Sequence, residues 1–307
     1  MKNKFLFTLF FLIGTFCILE SIAGFFAPMS TDKEYSVHET MIWEQPKGTR
    51  FEHGVRVTIN QYGLRGVAPK IPKPKDLKRI MSVGDSSIFG FLVEEEEVFT
   101  SIATKKLPQW EDINAGCPGY SSEQSLVWVR RFTTLFEIDI LIIANLWSDS
   151  TNMGFSDRKI LQEMKVQDNR NLLFLKQSNL FRALYSIFSS IPRKLEWSER
   201  DTEGQNRVSP KEYRENLEQM TQIMKDQGGK VIFVALASQK EIEEKITDEK
   251  GEKYRKIMRQ ISIQEDFPII EAKDVWLSQK NLFADFIHPN KEGHRQLGEK
   301  LQSFLIE

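Results

Sequence analysis

The chain has 307 residues, 40% of them hydrophobic and 28% charged, a composition that excludes wholesale disorder and leaves enough length for one large core. With 42 Lys and Arg against 43 Asp and Glu the formal net charge is −1, which argues against a nucleic-acid binder, because phosphate recognition needs an excess of clustered cations. Two cysteines, Cys17 and Cys117, exclude a disulfide-stapled scaffold and a Cys-rich metal site.

Lys2 and Lys4 precede an apolar run from Phe5 to Leu19, and beyond Glu20 the hydrophobic character continues to Phe26. About 20 apolar residues suffice to cross the hydrocarbon core as a helix. Residues 1–27 therefore read as a membrane anchor, or as a signal segment cleaved after the small-x-small pattern Ser21-Ile22-Ala23. The two lysines favour an amino terminus held in the cytoplasm, and either reading exports the remainder. A lipoprotein is disfavoured, since Phe16 rather than a small residue precedes Cys17. Cys117 is then expected as an inert buried thiol.

Residues 28–77, with Pro46, Pro69, Pro72 and Pro74 set among lysines, are expected to form an extended lead-in rather than a packed element. From residue 78 to 307 strands and helices alternate. Arg79–Val83 is an apolar run stopped by Gly84-Asp85-Ser86, a strand entering a turn. Glu94–Leu107 reads as helix, its acidic start Glu94–Glu97 a solvated first turn with no further role. Asp112–Ala115 is a short strand, Ser122–Phe136 a helix with one broad apolar face, and Ile138–Ala144 a strand buried on both sides. Residues 155–209 break the rhythm and read as an insertion or lid, with an aromatic-rich helical stretch, Leu172–Ile191, and a polar stretch, Glu199–Asn206. Ser209-Pro210 opens a helix to Asp226, Lys230–Leu236 is a buried strand, Glu241–Ile263 a charged helix, Pro268–Glu271 a fifth strand and Lys291–Phe304 the last helix. This alternation predicts an α/β fold, a flavodoxin-like three-layer sandwich around a mostly parallel five-stranded sheet.

Three places could carry chemistry. Ser86 stands where the first sheet strand ends, the position at which ligands meet open parallel sheets. Asp285 precedes His288 by three residues in a loop before the last helix, a spacing that lets the carboxylate hold one ring nitrogen while the other faces a hydroxyl. Asn114–Gly119 follows the second strand, and a glycine there brings a backbone N–H close to a developing oxyanion. His294 falls in the final helix and is assigned to packing or solvent.

Together these residues resemble the SGNH (GDSL-type) hydrolase family. The resemblance rests on Arg79–Ser86, Asn114–Gly119 and Asp285-x-x-His288, and extends to its membrane-anchored bacterial branch through Asn60–Gly66 and Arg207–Asn216. It implies Ser86 as nucleophile, His288 as base then acid, Asp285 as its orienting carboxylate, and the N–H groups of Ser86 and Gly119 as oxyanion donors. Where the family carries Gly-x-Asn-Asp after the third strand, this chain reads Leu146-Trp-Ser148-Asp149, which puts Ser148 at the amide-donor position, with Asn145 and Asn152 as neighbouring substitutes. The resemblance implies an extracytoplasmic ester hydrolase acting on acyl or acetyl esters of envelope glycan or lipid, with no metal or organic cofactor. The alternatives are an O-acyltransferase on envelope glycans and a binding module on a degraded scaffold.

Overall fold

The computed structural model describes residues 2–26, 36–38, 41–166, 206–277 and 279–306. Helix α1 spans Lys2–Phe26 and is followed by two antiparallel hairpins, β1 (Ser36–His38) with β2 (Ile42–Glu44) and β3 (Gly48–Glu52) with β4 (Val55–Ile59). The sheet strands are β5 (Lys78–Val83), β6 (Trp110–Asn114), β7 (Ile140–Ile143), β8 (Lys230–Ala235) and β9 (Ile269–Glu271). They lie in the order β6-β5-β7-β8-β9, and every pairing is parallel. This is a flavodoxin-like α/β fold, as the alternating pattern predicts, and its strand order reverses between β5 and β7. The carboxyl ends of those two strands, Val83 and Ile143, open onto the crevice where such sheets hold ligands.

The helices follow their caps. The four-residue helix α2 (Ser86–Phe89) starts on the side chain of Asp85 and stops at Gly90, and α3 spans Phe99–Thr104. A capping box of Ser121 with Gln124 opens α4 (Ser122–Phe132). Short helix α5 (Trp147–Ser150) and helix α6 (Asp157–Val166) come next. Ser209 with Glu212 caps α7 (Pro210–Asp226), as the Ser-Pro pair predicts. The remaining helices are α8 (Gln239–Glu243), α9 (Glu249–Glu265), α10 (Ala272–Trp276) and α11 (Lys291–Ile306). α3 packs on α11, and α4 packs on α7, which also meets α9. The apolar strands β5, β7 and β8 sit between these helices and are almost wholly buried, which makes them the centre of the core.

Four expectations are corrected. The lead-in is packed: Met41, Val57, Ile59 and Leu64 are buried, and the Arg65 N–H donates to the Asn114 carbonyl on edge strand β6 at 3.0 Å. The buried Arg65 guanidinium donates to the carbonyls of Phe89, Gly90 and Val93 at 2.5, 2.7 and 2.7 Å. These contacts turn a Pro-rich stretch into structure. The helix expected over 94–107 is a single 3-10 turn, Glu95–Glu97, and then α3, because Val98 takes an extended conformation between them. The acidic run is more than solvated: Glu94 and Glu97 cap each other and Lys291 pairs with Glu97 at 2.6 Å. The helix expected over 241–263 is two, α8 and α9, with Asp248 capping the second. Of the expected insertion, Leu172–Ile191 and residues 199–205 lie outside the described residues, while its two ends, at Asp157 and Arg207, are within them.

Among the described residues, no helix is long and apolar enough to cross a membrane. The side chains of Phe5, Leu6, Leu9, Leu12, Phe25 and Phe26 fall outside that set.

Candidate active site

β5 delivers Gly84 and Asp85 to the crevice, and Ser86 is the first residue of α2. Asp85 is fully buried, and its carboxylate accepts N–H groups from Ser87 at 3.0 Å, Trp147 at 3.0 Å and Ser148 at 3.3 Å. It thus ties the Ser86 turn to the loop after β7 across the point where strand order reverses. Burial pushes the Asp85 carboxyl above its ordinary value, against the opposing pull of those N–H donors. The sequence marks Asp85 only as a turn residue; its bridging role is visible only once β5 and β7 are neighbours.

The far end of α2 is held by β6. Asn114 Nδ2 donates to the carbonyls of Ile88 and Phe89 at 3.0 and 3.3 Å, and its Oδ1 accepts the Gly116 N–H at 2.9 Å. A β-carbon at Gly116 would collide with the Phe89 backbone nitrogen and lie 2.8 Å from the Ile88 carbonyl carbon, so glycine here is a matter of contact, not of a flexible turn. Gly116→Ala is expected to lower stability by about 1–3 kcal/mol and to displace the start of α2, and thermal melts check the first of these.

Asp285 and His288 share the loop before α11. The Asp285 Oδ1 accepts the backbone N–H of Ile287 at 2.9 Å and of His288 at 2.8 Å, which curls the loop and leaves Oδ2 2.6 Å from His288 Nδ1. The other ring nitrogen, Nε2, lies 2.7 Å from Ser86 Oγ. With Nδ1–H donating to the carboxylate, Nε2 is left as acceptor for the serine hydroxyl. Burial alone would raise the Asp285 carboxyl; the hydrogen bonds from the His288 ring and from the two backbone N–H groups outweigh it and hold the group below the usual carboxylate range. The Phe91 ring lies 4.7 Å from the imidazole, and His53 at the tip of the β3–β4 hairpin meets Phe91 edge-on at 5.2 Å.

Gly119 adopts φ +79° in the loop between β6 and α4, a conformation that suits glycine. Among the described residues neither its N–H nor that of Ser86 donates to a protein acceptor, so both are free to bind an anionic oxygen. Ser148 sits beside Asp85, where its N–H is already spent, and its hydroxyl has no partner among the described residues. Asn145 is fully buried, with both amide atoms unpartnered, and its carbonyl accepts the Tyr213 hydroxyl at 2.6 Å. Asn152 is exposed and its side chain accepts the Gly154 N–H within its own turn.

Other singled-out residues lie apart. His294 is buried and stacks on Phe99, its Nδ1 accepting the Phe99 N–H, which makes it a packing residue; burial drives its pKa down to about 3. Cys117 is a buried free thiol, and burial pushes its pKa far up. Among the described residues no group of three or more His, Cys, Asp or Glu side chains is placed to hold a metal ion. A cleft of about 590 Å³ between Lys78, Lys230 and Phe304 opens at the amino ends of the strands, away from Ser86 and His288.

No known family profile matches the sequence, and no curated protein matches it. Solved structures match in fold. An acetyl xylan esterase aligns with a TM-score of 0.50 at 14% identity over 74% of this chain and 99% of its own. A lipolytic protein of the G-D-S-L family from Veillonella parvula gives 0.49 at 13% identity, covering 75% and 99%. A lipase/acylhydrolase from Enterococcus faecalis gives 0.49 at 16% identity, covering 75% and 95%. At these identities the likeness is one of fold.

Proposed function

We propose that this protein is a serine ester hydrolase of the SGNH (GDSL) type, in which Ser86 attacks an acyl or acetyl ester carbonyl. One observation carries the reading: three residues from opposite ends of the chain form a continuous relay, Ser86 Oγ to His288 Nε2 at 2.7 Å and His288 Nδ1 to Asp285 Oδ2 at 2.6 Å. His288 takes the hydroxyl proton as Oγ bonds to the carbonyl carbon, and the carbonyl electrons move onto oxygen. The imidazolium, stabilised by Asp285, then returns the proton to the departing alkoxide, leaving an acyl-enzyme that water cleaves by the same steps. The Ser86 and Gly119 N–H groups bind the oxyanion, and the Ser148 hydroxyl stands as a third donor. Covalent labelling by a fluorophosphonate tests this: wild type is expected to label and Ser86→Ala not to, and an unlabelled, folded wild type would refute it.

The ionised Asp285 also contributes to folding. Its folded pKa is depressed, so the contribution is present above the unfolded value near ~3.9 and lost as pH falls through the lower folded value. The Tm difference between wild type and Asp285→Asn is therefore expected to hold from pH 8 to about 5 and to shrink below about 4. A difference that grew on acidification would reverse the assignment.

The reading places the domain outside the cytoplasmic membrane, anchored by α1 or released after cleavage, with envelope acyl esters as substrates. Support comes from α1 itself. Its 25 residues extend about 37 Å, against roughly 30 Å of hydrocarbon, and Phe7, Phe10, Phe11, Phe16 and Ile18 are exposed around it. An all-round apolar helix is costly in water and suited to lipid.

A further inference from the structure

The proposed machinery uses Ser86, His288, Asp285 and two backbone donors, but leaves unexplained why a tryptophan of the N-terminal hairpin lies against the glycine that supplies one of them. Trp43, in β2, is half-buried. The edge of its ring lies 3.2 Å from the point where a Gly119 β-carbon would stand. Its ring meets Tyr120 edge-on at 5.5 Å, and its carbonyl accepts the Tyr120 hydroxyl at 2.7 Å. The guanidinium of Arg207 lies over the Trp43 ring, 5.5 Å from its centroid.

These contacts close on themselves. Arg207 pairs with Asp157 at 3.1 and 2.7 Å, and the same carboxylate accepts the Ser121 hydroxyl at 2.7 Å. Ser121 is two residues beyond Gly119, so the path runs from Trp43 through Gly119 to Ser121, on to Asp157 and Arg207, and back to Trp43. All are buried or half-buried. The stretch inside this circuit is the loop that carries the free Gly119 N–H, and glycine at φ +79° has no side chain of its own to hold that N–H in place.

We propose that Trp43 is a positioning residue: it holds the Gly119 N–H in the direction the oxyanion will occupy, and so makes the N-terminal hairpin part of the active site. The inference rests on the serine-hydrolase reading. An oxyanion donor contributes only when aimed at the transition-state oxygen, so loosening it lowers kcat more than it weakens ground-state binding. Losing a donor outright costs about 10²–10³ in rate, and misaiming one is expected to cost a fraction of that, about tenfold.

The test uses the full chain in detergent, with p-nitrophenyl acetate hydrolysis expressed per Ser86 titrated to completion with a fluorophosphonate. Trp43→Ala is expected to lower kcat per labelled site by about tenfold with KM changed less than about threefold, and Trp43→Phe, which keeps a ring on Gly119, to recover most of the loss. An unchanged kcat per labelled site, with only Tm or the labelled fraction reduced, would show a merely structural role and overturn the proposal. Should Trp43→Ala fail to fold, Tyr120→Phe deletes only the hydroxyl that grips the Trp43 carbonyl. A threefold or greater fall in its kcat per labelled site supports the proposal, and an unchanged value overturns it. A wild type that neither labels nor turns over would instead sink the serine-hydrolase reading, leaving the two failures distinguishable.

Discussion

Ser86→Ala is expected to lower ester turnover by roughly 10⁴–10⁶ while leaving the fold intact. In the proposed mechanism this hydroxyl forms the acyl-enzyme, and the next residue cannot replace it: Ser87 is buried, its N–H on Asp85. The fold should survive because α2 is held by groups other than that oxygen, chiefly the Asp85 cap and the two hydrogen bonds from Asn114. Any residual rate would come from water activated by His288 and from the oxyanion donors. His288→Ala should therefore fall to a similar floor, and the double variant little further, since residues acting as one unit are not additive. Steady-state kinetics on the three variants, with Tm within a degree or two of wild type, checks this. Independent losses that multiplied in the double variant would mean the residues do not form a single relay.

Asp157→Ala is expected to be among the most destabilising single changes outside the sheet. The carboxylate is fully buried and pairs bidentately with Arg207, whose side chain is only 8% exposed. Removing it strands a guanidinium away from water, which costs about 3–5 kcal/mol, whereas replacing both partners by apolar groups of similar volume is often nearly neutral. At about 2–4 °C per kcal/mol for a domain of this size, Tm should fall by roughly 6–20 °C. Asp157→Leu with Arg207→Met should recover much of that. A single variant that melted within about 2 °C of wild type would show that the pair contributes no net stability.

The relay was legible in the sequence because its chemistry is local in each block. Asp285 and His288 are three residues apart, and Ser86 follows a short apolar run that stops abruptly at Gly84. The buried strands β5, β7 and β8 were legible as continuous apolar runs, and α7 from Ser209-Pro210. What stayed hidden depends on contacts distant in sequence. The lead-in packs because Arg65 finds three carbonyls on the turn after α2, which no local propensity encodes. The break between α8 and α9 is marked by Lys245 at φ +57°, inside a charged pattern whose helical period runs on past it. Trp43 was invisible for the same reason: a single tryptophan in a three-residue strand carries no sign of the glycine it meets 76 positions later. The sequence draws attention to Ser148 through the resemblance alone, and nothing in it marks Asp85's hold on that residue's N–H.

Arg65 also redraws the limits of the inheritable unit. Its guanidinium binds the turn after α2 to a segment that a boundary at residue 78 would assign elsewhere. A recombination event joining a foreign leader at that point would strip three hydrogen bonds from that turn and leave the Val93 carbonyl bare at a cost of roughly 1–3 kcal/mol, while the Phe89 and Gly90 carbonyls keep Asn114 Nδ2 and the Val93 N–H. Residues 41–66 and the sheet therefore have to be exchanged as one cassette, and lineages that swap the amino-terminal end of such a chain must make the cut upstream of Met41.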